Sequence, residues 1–434
     1  MNRRVYSLLI AFAAPFAYAV VLWRGLRDRG YWLGLGERFG GGPPPPSTPT
    51  LWLHAVSLGE MSAAAPLART LREKYPQLPM VLTTATPTGR AQAHALFGNT
   101  VTVSYLPYDT PRAVARFLER IRPRIAVIME TELWPNLFHQ CECRGVPVLL
   151  ASARLSEKSV SRYRQYRALF RPVFSANVTV GAQTATDAAR FEAIGAAAER
   201  THVIGNIKFD MDVMPGVMER GRRLRASFGD ERPVWIAGST HAGEEEQILA
   251  AHRALLTDRP TALLLLVPRH PARFQAVGDL LARLGMPFVW RSSGRMPDAA
   301  TQVLLVDSVG ELGMLYAAAD VAFVGGSLVP IGGHNLLEAA ALGVPVLTGP
   351  HNANSKDVAR LMIDQGAAIQ VSDSESLTRT VRNLLADPGE RRRIGDMGCN
   401  LVAANRGSVA RLAQLIEPLL PEQPAAANFP SASR

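Results

Sequence analysis

Short apolar runs alternate along this chain with stretches whose apolar positions recur at helical spacing. Runs rich in Val, Ile and Leu with no polar alternation read as strands buried on both faces, and the stretches between them as amphipathic helices. A first series comprises Leu51–Val56, Met80–Thr84, Val101–Tyr105, Ile125–Met129, Val148–Leu150 and Val178–Val180, and Gly205–Lys208 follows the last strand of this half. A second series comprises Val234–Ala237, Ala262–Val267, Val303–Val306, Val321–Val324, Val344–Leu347 and Ala367–Val371. Strands alternating with helices imply βαβ units and a parallel sheet. The expected fold is α/β, with two Rossmann-like doubly wound domains, 51–210 and 233–420, facing a cleft. A polar interdomain linker covers 211–232, and the tail 421–434 has a disordered composition.

The N-terminus breaks this pattern. Val5–Trp23 carries no charge. Its 19 residues, at about 1.5 Å each, reach about 28 Å, close to the roughly 30 Å of a bilayer core. Pro15 is expected to kink the helix, and Tyr18 and Trp23 suit an interface. Arg3 and Arg4 precede the run, while Arg24, Arg27 and Arg29 follow it, which favours a membrane anchor (1–24) with the bulk of the chain on the cytoplasmic side. A helix docked on the protein or lying in the membrane surface is the alternative. No small-residue cleavage site follows, against a signal peptide. Residues 25–50 read as a basic, Pro-rich linker ending in PPPPSTPT.

Composition narrows the chemistry. Apolar residues at 47% and charged ones at 19% suffice for two cores. The net charge of +10 is mostly Arg, whose planar fork suits phosphate, carboxylate or an acidic membrane. The Arg residues are dispersed and no stacking motif stands out, so a nucleic-acid partner is not expected. Cys141, Cys143 and Cys399 form no disulfide framework, and neither a metal site nor a cofactor is expected.

The strongest local signal runs from Gly325-Gly326-Ser327 through Gly332-Gly333-His334 to Asn335, Leu336, Leu337 and Glu338. A strand, a Gly-rich loop and a helix opening near Asn335 make a phosphate site, with Glu338 placed for ribose hydroxyls. The alternative is a plain turn with Glu338 complementing the helix dipole. Pro268-Arg269 follows another strand and offers a cation to a nucleotide phosphate. Ser308-Val309-Gly310-Glu311 opens a further helix and doubles as a capping box. In the first half, Glu60 follows a strand in Ser57-Leu58-Gly59-Glu60. It fits a general base for a sugar hydroxyl and equally a capping box. Glu130 and Glu132 stand beside Trp134 at another strand end, and Lys208 can meet an anionic donor.

Taken together, HAVSLGE (54–60), ETELWPN (130–136), GNIKFD (205–210), AGSTHAGEEE (237–246), VPRHPARF (267–274), VGELGMLY (309–316) and GGHNLLEAA (332–340) resemble the 3-deoxy-D-manno-octulosonic acid (Kdo) transferases of lipopolysaccharide synthesis. The resemblance implies a GT-B fold and an inverting, metal-independent glycosyl transfer at the cell inner membrane. It implies CMP-Kdo as donor and the lipid A precursor lipid IVA as acceptor. It implies Glu60 as proton acceptor and transition-state roles for Glu130 and Lys208. It places CMP against Pro268, Arg269, Val309, Gly310, Glu311, Asn335, Leu336, Leu337 and Glu338. The competing readings are another nucleotide-sugar transferase or an epimerase, and a membrane-tethered nucleotide-binding protein without catalysis.

Overall fold

The computed structural model describes residues 2–44, 46–174, 177–211, 214–229 and 231–420; the tail expected to be disordered lies outside them. The described residues form two compact units, one within 2–210 together with 406–420, the other within 211–405.

The first unit is built on a seven-stranded sheet of order β3-β2-β1-β4-β5-β6-β7, parallel throughout. Its strands are β1 (Thr50–His54), β2 (Met80–Thr84), β3 (Thr102–Tyr105), β4 (Pro123–Met129), β5 (Val148–Ala153), β6 (Val178–Ala182) and β7 (Thr201–Val203). Leu51 pairs with Met80 on one side and Ile125 on the other, so β1 is central and buried along its whole length. That is why the central strands show continuous apolar runs: helices cover both faces and leave no solvent side to alternate with. One cluster joins Leu53, Val127 and Leu149 to helix residues such as Leu67 and Leu71; the opposite face joins Trp52, Ala126 and Leu150 to Phe117 and Phe138.

The second unit repeats the plan, with order β10-β11-β9-β8-β12-β13-β14, again parallel. Its strands are β8 (Val234–Thr240), β9 (Leu263–Pro268), β10 (Phe288–Trp290), β11 (Val303–Leu305), β12 (Val321–Val324), β13 (Val346–Thr348) and β14 (Ala368–Gln370). The edge strand β10 is not among the expected runs. It is three residues long and half-buried, too short to show a pattern.

The strand order reverses between β1 and β4 in the first sheet, and in the second β8 and β12 lie side by side with their next strands, β9 and β13, on opposite sides. Loops leaving the carboxyl ends of strands at such a switch point diverge and leave a crevice, the usual ligand position in doubly wound sheets.

Three stretches differ from expectation. Residues 25–50 are not all spacer: two 3₁₀ turns, Arg29–Trp32 and Leu35–Phe39, bury Glu37 and Arg38. Glu37 accepts from the Tyr105 N–H at 2.8 Å and pairs with Arg90 at 2.8 Å, which stitches the stretch to β3. The expected linker 211–232 contains a 12-residue helix, Val217–Phe228, that buries Val217, Leu224 and Phe228. It packs on the helix Leu312–Ala317, where a Cβ at Gly221 would come within 2.4 Å of Ala317. Finally, the helix Ser408–Ile416, expected with the second domain, belongs to the first unit. Leu412 and Ile416 join the core beneath β1, and Asp210 accepts the Gly407 N–H at 2.6 Å, fixing the start of that helix.

Candidate functional site

Glu60 lies in the first turn of the helix Leu58–Lys74, just past the carboxyl end of β1. Ser57 is the N-cap and its hydroxyl accepts the Glu60 N–H. The Glu60 carboxylate reaches back to accept the Val56 N–H at 2.9 Å and the Ser57 hydroxyl at 3.3 Å. The capping arrangement read from the sequence is therefore present, one residue further back than the standard box. It fixes the carboxylate, and fixing is compatible with a chemical role. Burial raises the proton affinity of Glu60 and the nearby Glu130 charge adds to this; the Val56 and Ser57 hydrogen bonds and Lys208 oppose it.

Glu130 follows β4, across the switch point from Glu60. Its φ of 54° is left-handed, a conformation costing a non-glycine residue about 1–3 kcal/mol. The main chain is held there by its N–H donating to Ala151 at 2.9 Å. The side chain lies 3.1 Å from Arg154 and 3.9 Å from Lys208. Lys208 sits on the 3₁₀ turn Ile207–Asp210, the turn whose Asp210 holds the returning C-terminal helix. Strain of this kind persists only where the surroundings over-determine it.

Glu132 has no role assigned by its position in the sequence. It accepts from the Trp134 indole N–H at 2.8 Å, and burial followed by the Glu60 charge pushes its pKa up to about 7. Glu60, Glu130 and Glu132 thus form one acidic cluster, with Lys208 and Arg154 as counter-charges. Arg154 comes from the turn after β5, in a segment with no motif to draw attention to it.

In the second unit the Gly-rich loop leaves β12 and the loop 241–244 leaves β8, again flanking the switch point. A fully buried carboxylate, Glu244, ties them together. It accepts from the N–H groups of Gly326 (2.7 Å), Leu328 (2.9 Å) and Ser327 (3.0 Å). A Cβ at Gly325 would lie 2.6 Å from the Ser239 carbonyl and 2.8 Å from that carboxylate, so only glycine fits. Glu244 was legible only as part of a run of three acids. His334 and His241 stack with ring centroids 5.0 Å apart and Nε2 atoms 2.8 Å apart, beside His270. Burial holds His334 down at about 4.

Of the nine expected contact residues, Pro268 and Arg269 stand at the end of β9, Val309, Gly310 and Glu311 in the segment after β11, and Asn335 to Glu338 beyond the Gly-rich loop. Pro268 closes β9 and is buried; Arg269 is exposed, its N–H donating to the Thr240 carbonyl at 3.0 Å. Among the described residues Arg269 has no carboxylate within ion-pair distance, and its charge acts on Glu338 and His334. Val309 is 79% exposed and Gly310 has φ 90°. Glu311 is committed elsewhere: Arg291 at 2.9 Å and the Ser308 hydroxyl both bond its carboxylate and hold its pKa down. The Ser308–Glu311 capping box does not form, because the helix begins later, at Leu312, with Glu311 itself as N-cap.

The helix expected at Asn335 is a single turn, Leu337–Ala340, capped by Leu336. So short a helix has little macrodipole, and any anion here must rely on individual backbone donors. Asn335 Oδ1 accepts the Leu337 N–H at 3.1 Å and its amide donates to Glu338 at 3.3 Å. Burial raises the proton affinity of Glu338. A cavity of about 530 Å³ lined by Pro330, Gly332, His351, Asn352, Lys356 and Arg360 includes none of the expected contact residues.

A family model described as 3-deoxy-D-manno-octulosonic-acid transferase (kdotransferase) matches residues 34–211, and one described as glycosyl transferases group 1 matches 295–400. A 3-deoxy-D-manno-octulosonic acid transferase of Haemophilus influenzae is 40% identical over 97% of this chain and 99% of its own length. One of Bordetella pertussis is 39% identical over 96% and 99%. Among solved structures, the UDP-GlcNAc 2-epimerase of Neisseria meningitidis bound to UDP-GlcNAc shares the fold, with a TM-score of 0.55 at 13% identity, over 85% of this chain and 99% of its own. Two Rossmann-like units in the GT-B manner and near full-length identity of this order lead to one conclusion: the chain belongs to the 3-deoxy-D-manno-octulosonic acid transferase family, glycosyltransferases of lipopolysaccharide biosynthesis.

Proposed function

We propose that this enzyme moves Kdo from CMP-Kdo to the lipid A precursor lipid IVA, with inversion and without a metal ion. The observation that carries the proposal is the state of Glu60. Its carboxylate is oriented by two hydrogen bonds, partly desolvated, and held among Glu130, Glu132 and Lys208 at a sheet switch point.

Glu60 takes the proton of an acceptor hydroxyl as the oxygen attacks the anomeric carbon of Kdo. The bond to the CMP phosphate breaks on the opposite face, so one displacement inverts the centre. Glycosyl transfer develops positive charge on the sugar. Glu130 offsets that charge, while Lys208 pairs with the Kdo carboxylate or the phosphate. The departing phosphate gains negative charge, which Arg269 and the backbone N–H groups of Asn335 and Leu336 stabilise. Glu338 accepts from the ribose hydroxyls, Leu336 lines the nucleotide, and Pro268 and Val309–Glu311 border it. A cation and backbone N–H groups supply the charge stabilisation that a metal gives in other transferases.

The acceptor is lipid-borne, and the apolar N-terminal helix keeps the enzyme at the inner membrane with both units on the cytoplasmic side. The test is an assay of purified protein with CMP-Kdo, tetraacyl lipid A precursor and EDTA, with products weighed by mass spectrometry. Mass increments of one or more Kdo units support the proposal. Absence of product, or equal turnover with UDP-sugars, overturns it.

A further inference from the structure

The helix Arg3–Gly25 is long and apolar enough to cross a membrane, and it is mostly exposed, meeting the first unit along one narrow stripe in which Ala14 and Gly25 are buried. Its inward stripe is Tyr6, Ile10, Ala14, Tyr18, Val21 and Gly25, one residue per turn, all buried or half-buried. Near its start, the Tyr6 hydroxyl donates to Asp109 at 2.9 Å and the Ser7 hydroxyl to Asn136 at 2.7 Å. Asp109 is 4% exposed and also accepts the N–H groups of Asn136 (3.0 Å) and Leu137 (2.8 Å), so Tyr6 completes a buried carboxylate that caps the helix Pro135–Cys143. Near the other end, the Trp32 indole donates to the Leu22 carbonyl at 3.1 Å, and the Tyr18 ring meets Phe39 edge-on at 5.1 Å. Phe39 in turn meets Tyr108, the neighbour of Asp109.

A spanning helix cannot keep both sets of contacts. From Tyr6 to Trp23 the axis covers about 26 Å, so a helix along the bilayer normal would carry Tyr6 into the far leaflet and strip Asp109 of a partner. The outward face is the opposite of the docked one. Leu8, Leu9, Phe12, Phe16, Val20 and Trp23 are 47–74% exposed with no charge among them. Such a patch on a water-facing protein marks an interaction surface. Its occupant follows from what borders it. Arg24 and Arg27 follow the apolar face, and a cavity of about 390 Å³ at the first turn is lined by Arg3, Arg4 and His139, with Glu142 on its wall. Apolar side chains between cationic ends match the depth profile of one leaflet, acyl chains beneath anionic headgroups.

We propose that Arg3–Gly25 lies in the plane of the membrane, clamped to the first unit, with its Phe12–Phe16 face sunk into a single leaflet. This deepens the membrane reading given above and rests on it. The enzyme is then monotopic, and both ends of the helix stay on the cytoplasmic side.

Topology labelling tests this in the full chain. Arg4→Cys is expressed in cells, and spheroplasts are treated with a membrane-impermeant maleimide. Cys143 and Cys399 are exposed and report leakage. The expected result is no labelling above the wild type until detergent opens the inner membrane. Labelling of Arg4→Cys in intact spheroplasts means that the helix spans, and overturns the proposal while leaving Kdo transfer untouched. A second arm sediments the purified chain with phosphatidylcholine vesicles containing phosphatidylglycerol. Phe12→Glu with Phe16→Glu should weaken binding by more than about tenfold, since two buried aromatic side chains become charged, with turnover on detergent-dispersed acceptor unchanged. Undiminished binding by this variant, or a wild-type chain that dimerises and ignores vesicles, also overturns it.

Discussion

Glu130 Oε1 lies 3.9 Å from Lys208 Nζ, and both act on the proton affinity of Glu60, Glu130 raising it and Lys208 lowering it. A base of this kind works in its ionised form, so activity is present above its pKa and lost as pH falls through it. Lys208→Met removes the opposing charge. The acid limb of kcat/KM should move to higher pH and turnover should drop, while Lys208→Arg restores the position of the limb. An acid limb unmoved by Lys208→Met contradicts the coupling.

Burial pushes the Glu132 carboxyl up to about 7, and the Glu60 charge adds to the rise. Its folded pKa is raised, so its contribution to stability is fully present below the ordinary carboxylate value of 4.5 and is lost as pH rises through about 7. Glu132→Gln should therefore raise Tm at pH 8, with the gain fading toward pH 4.5. A gain independent of pH across that window contradicts the assignment.

Glu244 holds three backbone N–H groups of the Gly-rich loop. Glu244→Ala leaves them buried and unpaired, at about 1–3 kcal/mol for each such group. Tm should fall by several degrees and CMP should bind more weakly in calorimetry. Wild-type values for both contradict the role of Glu244 as the loop's anchor.

Arg269 is exposed and held at the end of β9 by Pro268. If it meets the CMP phosphate, Arg269→Ala removes a charge-assisted hydrogen bond worth about 1.5–3 kcal/mol, or about tenfold or more in Kd. Unchanged CMP affinity in calorimetry contradicts the contact.

The two sheets were legible because parallel strands buried on both faces must be apolar throughout, as Leu51–Leu53 and Leu263–Val267 are. The loops at Glu60 and Gly325–Glu338 were legible because each joins glycine or a cap residue to a carboxylate at a strand end. The cluster around Glu60 was not. Its counter-charges Arg154 and Lys208 follow β5, which pairs with β4, and the edge strand β7, whose 3₁₀ turn Ile207–Asp210 is tied back to β5 by the Ile207 N–H donating to the Ser152 hydroxyl at 3.3 Å. Nor was the return of Ser408–Ile416 to the first unit legible. An amphipathic helix announces an apolar face, and here the partner surface was chosen by Asp210. Glu311 shows the converse: the sequence offers a Ser-x-x-Glu pattern, and the Arg291 guanidinium takes the carboxylate instead.

The account stands or falls on Glu60 as the proton acceptor. Glu60→Gln keeps the shape and the Ser57 contact but cannot take a proton. Turnover of CMP-Kdo with lipid IVA should fall by about 10²–10⁴-fold, the usual contribution of a general base, with CMP affinity unchanged. Turnover within a few-fold of wild type contradicts it.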